Sequence, residues 1–254
     1  MPRLFVPSQD LGGVEVTLTG EPQRYLTRVL RFGAGARVDL FDGEGLEVAA
    51  TIVRGGSREV TLLLGERRRI ATPATPPLTL LQGLSRPERM DLIIQKATEL
   101  GAARVVPVRT ARSASGQQGR PERWEKIAQE AARQCGRADS LAVSLVLSIA
   151  EAIAGLRPKS HRFVPWEDAP EAVPLGVAVP TATVAVDVLI GPEGGLTADE
   201  VATARDAGFQ VVTLGPRILR TETAAIAALA VIQDRLGGLG QVRPIGTVPM
   251  VRVE

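Results

Sequence analysis

The chain has 254 residues, 44% hydrophobic, 23% charged and 3% aromatic, which excludes a disordered or collagenous polymer and leaves enough apolar side chain to bury a core. Its 30 basic and 28 acidic residues nearly cancel, but 27 of the 30 are Arg, whose planar fork matches phosphates and base edges. A single Cys135 and a single His161 exclude an intramolecular disulfide and leave too few ligands for a zinc site or a Cys/His nucleophile pair, so no metal is expected.

No stretch approaches the roughly eighteen uninterrupted apolar residues of a membrane helix. Met1-Pro2-Arg3-Leu4-Phe5 lacks the basic-then-apolar pattern of a secretory signal, so the cytoplasm is the expected location. Charge is uneven along the chain: Arg86 to Arg137 holds 11 basic and 6 acidic residues, whereas Glu151 to Glu254 holds 9 and 12. Any basic face therefore belongs to the middle of the chain.

The first 70 residues read as short strands at Arg3 to Val6, Val14 to Leu18, Arg37 to Phe41, Leu46 to Val53 and Glu59 to Leu64, with turn signals at Asp42-Gly43 and Gly55-Gly56. This is the pattern of a small barrel, interrupted by one helix from Pro22 to about Arg31. The proline-rich stretch Thr72 to Pro77 marks a boundary, giving domains at 1–72 and 78–240 and a C-terminal extension at 241–254.

Beyond it, strands alternate with helices. Leu78 to Leu81 is a strand, and Pro87 to Leu100 sets Met90, Ile93, Ile94, Ala97 and Leu100 on one helical face. Arg104 to Val108 is the next strand. A helix from Glu122 puts Trp124, Ile127, Ala128, Ala131 and Cys135 on one stripe, which makes Cys135 a core residue, and Arg123, Lys126, Arg133 and Arg137 on the other. His161 to Pro165 is a strand. Val184 to Ile190 is a β-branched run fit for a buried parallel strand, followed by a helix near Ala198 to Ala207, a strand at Gln210 to Leu214 and a last helix from about Thr221. The alternation predicts an α/β domain.

Two loops carry the chemistry. In Gly191-Pro192-Glu193-Gly194-Gly195-Leu196-Thr197 a buried strand runs into a glycine-rich turn, and Thr197 with Glu200 forms a capping box that fixes where the helix starts. Glycines at the carboxyl end of a parallel strand let backbone approach a ligand, although a turn that merely needs positive φ would look the same. The second loop, Leu214-Gly215-Pro216-Arg217-Ile218-Leu219-Arg220-Thr221-Glu222-Thr223-Ala224, follows the next strand, and loops on adjacent strands can line one crevice. Thr221 can cap the helix, and Glu222 sits in its first turn, where the dipole favours a carboxylate. Arg220 opposes that dipole, which calls for a ligand or a carboxylate partner. The segment Ala224 to Ile232 is apolar all round and must be covered on every side, by the chain's own core or by a second subunit.

These two loops, with Lys96-Ala97-Thr98-Glu99-Leu100-Gly101, resemble the RsmE family of 16S ribosomal RNA uridine N3-methyltransferases in the SPOUT superfamily. Val29-Leu30-Arg31 and Phe41-Asp42-Gly43 are similar to the family's amino-terminal PUA-like barrel, and Trp124-Glu125-Lys126-Ile127 and Gln134-Cys135-Gly136-Arg137 to its middle helix. The chain departs from the pattern at Tyr25, where a His is usual, at Cys135, where a Ser is common, and after Arg137, where a Pro is missing. The resemblance implies a carboxyl-terminal domain with a deep trefoil knot, a homodimer with a shared active site, and S-adenosylmethionine bent into the two loops. Ile190, Gly191, Glu193, Gly194 and Gly195 in the first loop, and Leu214, Gly215, Ile218, Leu219 and Thr223 in the second, are then the cofactor candidates.

Methylation at N3 needs loss of an imide proton and in-line attack on the methyl. Arg220 is the candidate for stabilising charge on the uracil carbonyls; an ion pair with Glu222 or a phosphate clamp is its other role. Glu193 or Glu222 can accept the proton, and Arg220 and Glu222 stand as the catalytic pair. Candidate RNA contacts are Arg31, Arg86, Arg112, Arg123, Arg133 and Arg137, and the partner is 16S ribosomal RNA in the small subunit. His161 lies away from both loops. Two other readings stay open: a noncatalytic RNA-binding assembly factor, and a methyltransferase acting on tRNA.

Overall fold

A computed structural model of the chain describes residues 1–70, 75–113, 119–169 and 171–240. The first residues of the expected proline-rich boundary and the expected extension at 241–254 lie outside them. The described part falls into two compact units. One comprises the first 70 residues with Ala132–Ser140; the other comprises 75–131 and 141–240.

The first unit is a five-stranded sheet in the order β1 (Arg3–Phe5), β3 (Arg37–Phe41), β4 (Leu46–Gly55), β5 (Glu59–Arg69) and β2 (Glu15–Thr19). Alternation along the strands sends Val16, Leu18, Val38, Leu40, Val48, Ala50, Ile52, Val60 and Leu62 into one core. β5 runs past its expected end at Leu64, because β4 continues opposite it and sets Glu47 across from Arg68. Among the described residues β1 and β2 end the sheet without pairing to each other, so it is an open form of the expected barrel.

The helix expected from Pro22 to Arg31 is also different. α1 (Gly20–Arg24) passes into a π-helical turn over Tyr25–Val29, and Arg31 takes a φ of 55°, a left-handed conformation rare for a residue with a Cβ. Ala132–Ser140 joins this unit through backbone: Arg3 donates to the carbonyls of Ala132 and Arg137, and Gly45 N and Ser140 N bond Ala138 O and Gly43 O.

In the second unit, β6 (Leu78–Gly83) precedes α2 (Pro87–Glu99), β7 (Arg104–Arg109) and α3 (Pro121–Cys135), whose last turn belongs to the first unit. Then come β8 (Ala142–Val143), β9 (Leu147–Ser148), α4 (Ile149–Ala154), β10 (His161–Pro165), β11 (Val173–Pro174), α5 (Leu175–Ala178), β12 (Val186–Ile190), α6 (Ala198–Asp206), β13 (Phe209–Thr213) and α7 (Thr221–Arg235). The strands pair in parallel in the order β11-β13-β10-β12-β6-β7-β8, with β9 also on β7.

Period-two alternation serves both faces of this sheet. Leu78, Leu80, Val186, Val188 and Ile190 meet Met90, Ile93 and Ile94 of α2 and Ala225, Ala228 and Leu229 of α7. Leu81, Val106 and Leu189 meet Ile149 of α4 and Val201 and Ala204 of α6. α7 packs on α2 and α5, which covers one side of its apolar circumference; Ile226, Ala227 and Ala230 stay half-covered.

Cys135, expected in the core, is only half-buried, and its thiol donates weakly to Ala132 O. Two of the arginines expected on the polar stripe make contacts within the first unit, Arg133 in the last turn of α3 and Arg137 just beyond it. Arg133 stacks over the Tyr25 ring at 4.5 Å and donates to its hydroxyl, and Arg137 pairs with Asp139 at 2.7 Å with a side chain 14% exposed. That ion pair holds the Asp139 carboxyl below its ordinary range even though burial works the other way.

Candidate active site

The loops after β12 and β13 line one cavity of about 750 Å³. Their strands are not neighbours, as the chain order suggests, because β10 lies between them. The crevice is therefore built from three strand ends, and Pro165 at the end of β10 with Trp166 and Glu167 beyond it supplies a wall that no motif announces.

The two loops are tied at their base. Thr221 Oγ1 donates to Gly191 O at 2.6 Å and accepts from Gln82 Nε2 at 2.9 Å, with Gln82 0% and Thr221 5% exposed. The expected capping role of Thr221 is thereby corrected: the N-cap of α7 is Arg220, without a side-chain cap, and Thr221 is already helical, its hydroxyl spent on the other loop. Gly83 permits the approach of β6 to the same loop, since a Cβ there would stand 2.5 Å from Pro192 N. The capping box of α6 forms as expected, Thr197 Oγ1 accepting from Glu200 N while Glu200 accepts from Thr197 N and Ala111 N.

Glycine is required in the cavity wall for two reasons. Gly195 and Gly215 hold φ at 71° and 109°, where a side chain is strained whatever the space. A Cβ on Gly194 would stand 2.9 Å from Arg112 Cβ. Arg112 is exposed and lies along this loop, donating to Gly194 O at 2.9 Å, so it braces the turn.

Glu193 is committed as well. Its Oε1 accepts from Arg86 N at 2.9 Å, at the amino end of α2, and lies 3.6 Å from Arg89 Nε. Arg89 reaches Glu222 at 3.4 Å, joining both loops through one guanidinium. The expected alternative of an Arg220–Glu222 pair is not formed: among the described residues Arg220 has no ion-pair partner, and its side chain lines the cavity.

Of the cofactor candidates, Ile190, Gly191, Glu193, Gly194, Gly195, Leu214, Gly215, Ile218 and Leu219 line the cavity, and Thr223 does not. Glu222 also stays outside the lining, with Arg220, Thr221 and Ala224 beside it in the wall. Arg31 and Arg86 are exposed, and Arg123 pairs with Asp91 at 2.6 Å. Gln82, Arg89 and Glu167 escaped the motif reading because they lie far in sequence from the loops they touch. The sole available signal was their position at a strand end or in the first turn of a helix.

A glycine-walled cavity at the carboxyl edge of a parallel sheet is the arrangement of a nucleotide-type ligand site. The RNA methyltransferase domain family matches residues 73–233, and the RNA methyltransferase PUA domain family matches residues 18–64. The ribosomal RNA small subunit methyltransferase E of Mycobacterium bovis is 34% identical over 236 residues, covering 88% of this chain and 87% of that protein.

Among solved structures, ribosomal RNA small subunit methyltransferase E from Neisseria gonorrhoeae, bound to S-adenosyl methionine, superposes with a TM-score of 0.82 at 32% identity. A methyltransferase from Legionella pneumophila, in complex with bound SAM, gives 0.82 at 28%. Each covers 92% of this chain and 97% of its own. The chain belongs to the ribosomal RNA small subunit methyltransferase E family.

Proposed function

We propose that the chain transfers a methyl group from S-adenosylmethionine to N3 of a uridine in 16S ribosomal RNA of the small subunit. The observation that carries this is the single cavity formed by the two glycine loops and tied at Thr221. Its volume suits a ligand of nucleoside size, and the positive φ of Gly195 and Gly215 leaves bare backbone facing it. Bound there, the cofactor supplies a methyl already activated by its sulfonium, so the protein's task is to position and to exclude.

Backbone of Gly191 to Gly195 and of Leu214 to Leu219 holds the donor. Arg220, with no carboxylate partner among the described residues, offers its guanidinium to the uracil carbonyls as N3 gives its proton to water and attacks the methyl in line, the sulfur keeping the electron pair of the broken bond. Glu222 and Arg89 hold the first turn of α7 so that Arg220 stays at the cavity wall. RNA contact falls to exposed arginines such as Arg31, Arg86 and Arg112, because Arg133 and Arg137 have internal roles.

Domains at 1–72 and 78–240 then divide RNA binding from catalysis. A deep trefoil knot fits the chain path: after β13 at the far side of β10, the backbone comes back past the β12 loop, to which Thr221 is bonded, to lay α7 on α2. A homodimer fits the half-covered side of α7. A ribosomal RNA substrate puts the work in the cytoplasm, and no described helix is long and apolar enough to cross a membrane. The test is incubation of small subunits with S-adenosylmethionine and the protein, followed by identification of the methylated nucleoside.

A further inference from the structure

We propose that Glu167 is the carboxylate facing the cationic end of the methyl donor, and that it makes the cavity prefer the charged donor over its neutral product. The inference rests on the cavity being the S-adenosylmethionine site. Glu167 follows β10, the strand between the two loop-bearing strands, so it enters the crevice between the two glycine loops.

The charged residues lining the cavity are Arg89, Glu167, Glu193, Arg217 and Arg220. Glu193 is taken up by Arg86 N and Arg89. Glu167 has no hydrogen bond or ion pair among the described residues, which makes it the lining carboxylate left for a ligand. Its position is also specific. Glu167 Oε1 lies 3.1 Å from the point where a Cβ would stand on Gly195, so the carboxylate rests across bare backbone in the cofactor loop. Arg112, whose Nη1 is 3.9 Å from that same point, already donates to Gly194 O.

S-adenosylmethionine carries one more positive charge than S-adenosylhomocysteine, and the two are otherwise alike in adenine, ribose and amino-acid groups. A carboxylate near the sulfonium therefore attracts the donor and not the product. When the methyl leaves, with the sulfur keeping the electron pair of the broken bond, that attraction ends and exchange of product for donor is favoured. Glu167 is exposed, so solvent screens the interaction and its expected size is about three- to ten-fold in affinity.

The test is calorimetric titration of the full chain with S-adenosylmethionine and, separately, S-adenosylhomocysteine. Wild type, Glu167→Gln and Glu167→Lys are compared. The ratio of the two affinities is read within each variant, so a loss of folded protein cancels from it. Glu167→Gln should weaken the donor about three- to ten-fold and the product less than about two-fold, and Glu167→Lys should extend the trend. Equal weakening of both ligands would assign Glu167 to a group they share and overturn the proposal, as would no change in either. A wild-type chain that binds neither ligand would instead overturn the cofactor reading beneath it.

Discussion

Arg220 sits at the amino end of α7, where the helix dipole disfavours a cation, and no carboxylate among the described residues compensates it. That placement costs stability unless a negative group is present, and the negative charge that develops on the uracil carbonyls is such a group. Arg220→Ala should lower the single-turnover methyl-transfer rate about 10²-fold while leaving S-adenosylmethionine affinity within about two-fold. A variant that transfers at the wild-type rate would remove Arg220 from the chemistry. The alternative of a clamp on Glu222 has lost its structural support, because Arg89 holds that carboxylate. Local chemistry was legible at this scale wherever a residue acts on its own neighbours, as in the Thr197–Glu200 capping box. Thr221 was misjudged because its hydroxyl acts across 30 residues of chain, on Gly191, and a cap was the only partner visible nearby.

At the scale of elements, the bond between Thr221 and Gly191 joins the start of α7 to the turn after β12, and Gln82 of β6 completes it. Thr221→Val keeps the shape but removes both hydrogen bonds, leaving the Gly191 carbonyl and one Gln82 proton with poorer partners in a dry site. The cost should be about 1–3 kcal/mol in urea unfolding, with a parallel loss of cofactor affinity, and Thr221→Ser should restore most of both. If Thr221→Val lost affinity without stability, the hydroxyl would be a ligand group and not a tie between elements. Helical and strand elements were readable from apolar period, as the buried Met90, Ile93, Ile94 and Ala97 of α2 show. The extension of β5 through Arg67 to Arg69 follows from its pairing with β4, and Arg133 on α3 and Arg137 just beyond its end are absorbed by Tyr25 and Asp139.

The order of strands in the sheet belongs to the whole molecule and could not be read from chain order. β10 inserts between β12 and β13, and this insertion brings Glu167 to the cavity. The same sheet buries Asp187 of β12, 1% exposed, with Arg162 Nε 3.9 Å away and Oδ2 lacking a hydrogen bond among the described residues. Burial pushes its carboxyl above the ordinary range, and the nearby hydroxyls of Ser160 and Thr79 with the charges of Arg162 and Arg157 offset only part of this. The folded state therefore binds this proton more tightly than the unfolded chain. Its contribution is fully present below the unfolded value, near 4, and is lost as pH rises through the folded one.

Asp187→Asn removes that loss, and Arg162 keeps Ala207 O, Arg157 O and Ser160 Oγ as acceptors. Urea unfolding at several pH values should find the variant more stable than wild type at pH 7, with the advantage shrinking toward pH 4. A less stable variant at pH 7 would mean that attraction to Arg162 outweighs burial.

The most direct test of the account is nucleoside mass spectrometry of 16S ribosomal RNA after small subunits lacking the modification are incubated with the purified chain and isotopically labelled S-adenosylmethionine. The account predicts one labelled methyl per RNA, recovered as N3-methyluridine, and label gained about 10²-fold more slowly with Arg220→Ala. Label recovered at another position or base, label found only on added tRNA, or RNA binding without any transfer would contradict it.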